Sequence, residues 1–448
     1  MKWRKTLVVF ILLSLLLVSY VMLKVGYYRI IFWLNDNKYP NRTSLALLTI
    51  TDEKHEVFDA NTILQRDVQN EGVALEANII MQKAISLYHE GDNEKAIKLL
   101  KHCKSLSPRN PDVLNAYGEV IEPRDIIDAD HHYALALVIY PGHLRAKENK
   151  NRCSSKVKAK DMEMLQRIES KRLALTEIPE GNAALNRAKL EAYYRHIYHT
   201  NGIEGNTLTL SMTRAILETG MAVGGKSILE HNEVLGMDLA LKYINVTLIN
   251  EPGPVNLEHI LQIHKRVLGY THPLDAGLYR QEQVYVGDHI PPSPLDMVKY
   301  LDAFQKWLSS IDITLLHPIE MAALSHYKLV YIHPFIDGNG RTSRLLMNLF
   351  LMRAGYPPVI IRKEQRYEYY ELLQTANMGD VRPFIRFVAR CTEDTLDEYL
   401  SSVTVRQLNS DSDSSENGAQ IMECFNPFNQ ASSLTQEHTY NTKCAKLT

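Results

Sequence analysis

From His333 to Arg344 the chain reads HPFIDGNGRTSR, and no other stretch restricts its fold as much. The segments on either side, PIEMAALSHYKLVYI and RLLMNLFLMRAG, both carry apolar residues at helical period. The stretch is therefore a loop between two helices, and a helix N-terminus opens onto it. Gly338 and Gly340 can take backbone conformations closed to other residues and leave room for a ligand at the main chain. The following helix is expected to begin near Asn339 to Thr342, so its free N–H groups and positive dipole end make an anion site. Arg341 and Arg344, three apart on one helix face, can each fork onto phosphate oxygens. Asp337 can hold Mg2+, which binds one or two carboxylates together with substrate phosphates. His333 has the pKa range of a general base. Taken singly, these are a turn, a histidine before proline and two arginines on a solvated face. Their joint spacing points to attack on a phosphate. The GK[ST] ending of a P-loop and the HExxH of a zinc hydrolase are both missing.

The formal net charge of -2 over 448 residues gives no basic field, which argues against a nucleic-acid partner. Five cysteines (Cys103, Cys153, Cys391, Cys424, Cys444) without CxxC spacing are neither a disulfide framework nor a zinc site. Near the N-terminus, Thr6 to Leu23 carries no charge and is long enough to cross a bilayer once. Lys2, Arg4 and Lys5 precede it, which favours a cytosolic N-terminus and a lumenal body. Sequons at Asn41 and Asn245 fit such a body. The expectation is a single-pass type II signal anchor.

A helical pattern starts near Gly72. Ala96, Leu100, Cys103 and Pro108 recur 33 positions later as Ala129, Tyr133, Ala136 and Pro141. That period suits helix–turn–helix repeats of the tetratricopeptide type, with a plain pair of helical hairpins as the alternative. Arg145 to Leu175, charged and free of Gly and Pro, reads as a long linker helix. Helical patterns then dominate to about Leu400. The exception is QVYVGDHIPPSP, expected to form a short β-hairpin. Beyond Ser401 the polar composition predicts a disordered tail.

HPFIDGNGRTSR agrees at every defined position with HxFx[DE]GNGRxxR, the signature of the Fic family. With YHTNGIEGNTLT, VGDHIPPSP and GDVRPFIRF, the chain resembles the membrane-anchored, repeat-bearing animal Fic adenylyltransferases of the endoplasmic reticulum. The resemblance runs from the anchor to about Leu400 and leaves out the tail.

The resemblance implies a mainly α protein. Its parts would be a tail and signal-anchor helix (1–26), a stalk (27–72) and two tetratricopeptide repeats (73–142). A linker helix (143–182) and an all-helical Fic domain with an inhibitory helix and a β-hairpin flap (183–400) would follow, and the disordered tail that composition predicts (401–448) comes after them. It implies transfer of AMP from ATP to a hydroxyl of a protein target. His333 would be the base, and Asp337 would hold Mg2+, or Mn2+ in its place. Gly338, Asn339, Gly340 and Arg341 would cradle the phosphates with Thr342 and Ser343, and Arg344 would grip the γ-phosphate. Val286, Gly287, Asp288 and His289 correspond to the flap that would line up the target segment and border ATP, while Tyr369, Tyr370 and Asn377 correspond to nucleoside contacts. TNGIEG matches the inhibitory pattern [ST]xxxE[GN], so Glu204 would pair with Arg344 and, during removal of AMP, serve the attacking water. A lumenal heat-shock chaperone of the BiP type would be the target. A homodimer would form through the region of Ile228. The alternatives are a tethered repeat adaptor with a nucleotide-sensing core, or transfer of another nucleotide or of phosphocholine.

Overall fold

The computed structural model describes residues 71–409. The apolar N-terminal run, the sequon at Asn41 and the tail from residue 410 lie outside them. Among the described residues no helix is long and apolar enough to cross a membrane.

Four helices open the described chain: α1 (Glu71–His89), α2 (Asn93–Leu106), α3 (Pro111–Ile121) and α4 (Ile126–Ile139). Each start after the first is set by a capping side chain: Asp92 accepts from the Lys95 N–H, Asn110 from those of Asp112 and Val113, Asp125 from those of Ile127 and Asp128. The residues that recur 33 apart, Ala96, Leu100 and Cys103 on α2 and Ala129, Tyr133 and Ala136 on α4, are all completely buried. The period thus marks core positions.

The long helix α5 (Leu144–Thr176) leads into a helical body. Its members are α6 (Ala183–Ile203), α7 (Leu210–Thr219), α8 (Ile228–Tyr243), a π-helical turn (Ile244–Leu248) and α9 (Leu257–Leu268). After the flap come α10 (Pro294–Leu308), α11 (Ile311–Leu315), α12 (Pro318–Ile332) and α13 (Asn339–Arg353). A 3-10 turn, α14 (Arg366–Asn377) and α15 (Arg382–Asn409) close it. One apolar core joins these helices. It contains Ile197, Val267, Leu329, Phe335, Leu346 and Phe387, each completely buried. The cysteines at 103, 153 and 391 are buried and free.

Buried charges seat the first four helices and α5 on the body. Arg386 forks onto Asp161 of α5 at 2.7 and 2.8 Å. Arg382 pairs with Asp130 of α4 and with Asp380, which also receives Nδ1 of His131 at 2.9 Å. Removing one member would strand a charge in the interior, which is strongly destabilising.

Two expectations are corrected. The flap is one antiparallel bridge between Val286 and His289, and the described residues contain no β-strand. Pro291 and Pro292 follow after Ile290 and have no N–H to extend a ladder. The expected disorder from residue 401 does not begin there, because α15 runs on to Asn409. Val403 is buried against the small cluster of Leu185, Ala192, Ile360 and Tyr399. The hydroxyls of Ser401 and Ser402 bond back to the Glu398 carbonyl, which keeps these polar residues inside the helix.

Candidate active site

The loop between α12 and α13 is held from several sides. Asn339 clamps it from within: its Oδ1 accepts the Phe335 N–H at 3.0 Å and its amide donates to the Phe335 carbonyl at 2.8 Å. Asn339 is thus a buried loop fastener, and only its backbone is left for the cradle. His264 of α9 stacks on Phe335 with ring centroids 3.6 Å apart. Its Nδ1 accepts the Gly277 N–H at 3.0 Å, so its Nε2–H donates to the Asp337 carbonyl at 3.0 Å. Burial lowers its pKa to about 4 and keeps that tautomer neutral.

His333 caps α12 with φ 49°, the one non-glycine residue at positive φ among those described. Such a conformation is costly and marks a position the surroundings dictate. Nδ1 lies 3.2 Å from the Val330 carbonyl, so it is the protonated nitrogen and Nε2 carries the lone pair. Burial, helped by His289 and Arg280, lowers the His333 pKa to about 4 against the opposing pull of the Val330 carbonyl and Glu204. The ring is neutral at physiological pH and ready to accept a proton.

Sequence reasoning missed Arg280. This buried guanidinium donates to the His333 carbonyl at 2.7 Å, to the Glu282 carbonyl at 2.7 Å and to the Pro292 carbonyl at 2.5 Å. It ties both ends of the flap to the histidine. The flap turns at Gly287, φ 57°, and Asp288, with Val286 and His289 exchanging backbone hydrogen bonds at 3.0 Å. His289 then donates Nε2–H to the Tyr331 carbonyl at 2.9 Å and so leans on α12. An isolated arginine before a loop carries no motif that could have flagged it.

Helix α13 starts at Asn339, where Gly338 turns with φ 76°. Its two arginines, expected to be free clamps, are buried and already paired. Arg341 reaches Asp337 at 2.9 Å and Glu233 of α8 at 3.3 Å. Arg344 donates to Glu204 at 2.6 Å, to the Thr200 carbonyl at 3.0 Å and to the Tyr369 hydroxyl at 3.3 Å. Burial opposes the charge on Arg344, but Glu204 and the neighbouring tyrosines outweigh it and raise the pKa. Glu204 caps α6 just before Gly205, whose φ of 104° ends the helix. Nε of both arginines and the hydroxyls of Thr342 and Ser343 are buried without a hydrogen-bond partner. Orphaned donors at a helix N-terminus fit an oxyanion. Asp337, half exposed, is the carboxylate suited to a divalent cation. Among the described residues no group of three or more His, Cys, Asp or Glu could hold a metal ion.

A cleft of about 1420 Å³ opens beside the loop, lined by Glu204, His333, Gly340, the flap, Tyr370 and Asn377. It continues to Lys101 of α2 and Asp128 and His131 of α4. That exceeds the roughly 300–1,000 Å³ of a small-molecule site, so the cleft has room for more than a nucleotide. Tyr369 edges the same cleft but is only 1% exposed.

Comparison with known proteins agrees with this architecture. The Fic/DOC family pattern matches residues 254–351. Protein adenylyltransferase Fic of Nematostella vectensis is 57% identical over 333 residues, 74% of this chain and 78% of that one. The chain belongs to the Fic/DOC family. The protein of the same name from Drosophila melanogaster is 55% identical over 322 residues, 71% of this chain and 65% of that one. The solved structure of Fic-1 from C. elegans matches with a TM-score of 0.67 at 41% identity, over 73% of this chain and 99% of that one. The Fic loop of this chain is thus the segment from His333 to Arg344, and its partners outside the loop include Thr200, Glu204, Glu233, His264, Arg280 and Tyr369.

Proposed function

We propose that this Fic protein moves AMP from ATP to a serine or threonine hydroxyl of a protein target, and that the same site removes it. The observation that carries the reading is a neutral His333, with its lone pair on Nε2, beside an anion loop whose second arginine is held by Glu204. The target hydroxyl oxygen would bond to the α-phosphorus as its proton passes to Nε2. The bond from that phosphorus to the bridging oxygen of the β-phosphate would break, and pyrophosphate would leave. The backbone N–H groups of Gly340 and Arg341, with the free hydroxyls of Thr342 and Ser343, would hold the developing charge. Asp337 would hold Mg2+, or Mn2+, which supplies charge neutralisation of the phosphates. Arg344 would take the γ-phosphate once Glu204 withdraws. In the reverse duty Glu204 would orient a water that adds to phosphorus, and the target hydroxyl would leave with a proton from that water.

The extension of the cleft to α2 and α4 supports docking of the target on the first four helices, read as two tetratricopeptide repeats. The target class we favour is a lumenal heat-shock chaperone of the BiP type. Ile228, 65% exposed at the start of α8 with Leu229 beside it, supports a homodimer through this face. The decisive experiment incubates purified protein with labelled ATP and the chaperone, with and without a change at Glu204. Label should pass to the chaperone, most strongly from the changed form. Tight ATP binding with no label in either form would leave only a nucleotide-sensing adaptor, and label from CTP or CDP-choline instead would change the group transferred.

The lumenal body and its endoplasmic-reticulum membrane anchor rest on the apolar N-terminal run and the sequons. Asn245 lies in the π turn with its carboxamide buried and unpaired, whereas Val246 and Thr247 beside it are exposed. A glycan there requires the amide to swing outward. In animal cells, a mobility shift on glycan removal and protease resistance of the body in sealed microsomes are expected. A body that is digested without detergent and carries no glycan would overturn the topology.

A further inference from the structure

The Tyr369 hydroxyl lies 3.3 Å from Nη1 of Arg344 and 3.0 Å from Nε2 of His326. A guanidinium only donates, so the tyrosine oxygen accepts from Arg344, and the arrangement that leaves no phenolic proton unpaired has Tyr369 donating to His326. That requires a neutral imidazole with its lone pair on Nε2. His326 is completely buried, and burial together with the Arg344 charge holds its pKa well below the ordinary value. Its other nitrogen is buried with no hydrogen-bond partner, so the hydrogen bond to Tyr369 is the polar tie that aligns the ring. The rings meet edge to face at 5.7 Å and 79°.

Arg344 has three acceptors: Glu204, the Thr200 carbonyl and Tyr369. Two of them belong to the end of α6, and the charged one must leave before an anionic ligand can be gripped. Tyr369 sits on α14 and does not depend on that movement. It is also neutral, so it orients the guanidinium without cancelling its charge.

We propose that His326 and Tyr369 form a hydrogen-bonded relay that aims Arg344 at the γ-phosphate of ATP, with Tyr369 as a positioning residue and not a nucleoside contact. The relay rests on the reading of Arg344 as the γ-phosphate clamp. The sequence resemblance set Tyr369 beside Tyr370 as a nucleoside contact, but the two differ: Tyr370 is 39% exposed in the cleft and Tyr369 is 1% exposed.

The test uses the full-length protein with Glu204→Gly as background, so that no carboxylate competes for Arg344. Calorimetry measures the affinities for ATP and ADP, which differ by the γ-phosphate. Tyr369→Phe should weaken ATP about three- to tenfold, the worth of one hydrogen bond, and leave ADP within about twofold. His326→Leu should do the same. His326→Gln, whose carbonyl can take the tyrosine proton, should restore ATP affinity at least in part. An equal loss for ATP and ADP in Tyr369→Phe would make the tyrosine a nucleoside contact and overturn the relay, as would an unchanged ATP affinity. Arg344→Ala separates the two layers. If it leaves the preference for ATP over ADP intact, the clamp reading itself fails. If it removes the preference while Tyr369→Phe and His326→Leu do not, the relay alone is wrong. Thermal melts confirm folding, and the contrast between Leu and Gln at position 326 carries the test should Tyr369→Phe prove unstable.

Discussion

Gly340 lies so close to Glu204 that a Cβ at position 340 would overlap the Oε1 that receives Nη2 of Arg344. The second glycine of the loop therefore serves more than a turn. It leaves the space in which an acidic side chain from another helix reaches the arginine of the anion site. The contact between Glu204 and Arg344 is built by the absence of a methyl group as much as by the carboxylate.

Changing Glu204 to glycine should push two activities in opposite directions. Freed from a charge-assisted hydrogen bond of 2.6 Å, Arg344 can take phosphate, and AMP transfer should rise roughly 10- to 100-fold. Hydrolysis of AMP from a modified target should fall, because the group expected to orient water has gone. Both rates are measured on one preparation, with ATP plus bare target and then with pre-modified target. A parallel fall of the two would signal mere loss of stability.

Replacing His333 with alanine should cost AMP transfer about two to four orders of magnitude while ATP still binds in the Glu204→Gly background. His333→Gly should be equally inactive yet melt higher than His333→Ala. The backbone there holds φ 49°, which costs an L-residue about 1 kcal/mol or more relative to glycine. Scanning calorimetry of the two variants compares them. Equal melting temperatures would mean that the backbone stores no such strain.

Acid should act on stability and activity at different points. His264 and His196 are buried, with pKa values lowered by burial to about 4 and about 3, below the value of about 6.5 they regain on unfolding. Between those values the unfolded chain binds more protons, so this contribution is whole above pH 6.5 and is lost as pH falls toward 4. Each should cost about 1 kcal/mol at pH 5.5, read as a lower urea midpoint than at pH 7.5. His264→Gln should narrow that difference. The acid limb of AMP transfer should follow His333, lowered mainly by burial, and appear near pH 4, not near 6.5. A limb at 6.5 would mean that the ring is solvated in the working enzyme.

Arg280→Lys should loosen the flap without touching the nucleotide. Lysine cannot span the carbonyls of His333, Glu282 and Pro292 from one planar fork. We expect kcat/KM for the protein target to fall about tenfold with ATP affinity unchanged, measured by titrating target at saturating ATP. A matching loss of ATP affinity would place Arg280 in the nucleotide site.

Much of this protein was legible one residue at a time. The start of α13, the anion loop and the 33-residue spacing of buried positions all follow from local rules. Helical period, glycine freedom and free N–H groups act within a few residues. The pairing of Glu204 with Arg344 was legible only as a family resemblance, since the two residues are 140 apart and no local rule joins them. His264, Arg280 and Glu233 left no signal at all. Each acts through a contact 53 or more positions away along the chain, and a lone His, Arg or Glu in a helical pattern is commonplace.

The sequence by itself determined that a helix would begin inside an HPFIDGNGRTSR loop and that its first turn would suit an anion, because those properties depend on neighbouring residues alone. Which side chains meet that anion was decided by tertiary packing. Arg341 and Arg344, neighbours on a helical wheel, fell to different partners, Asp337 with Glu233 and Glu204 with Tyr369. Tyr369 and Tyr370, adjacent in sequence, separated into a buried support and a cleft wall. The reason is physical. Burial and distance between chain-distant groups set charge state and hydrogen-bond direction, and those quantities exist only once the helices have packed.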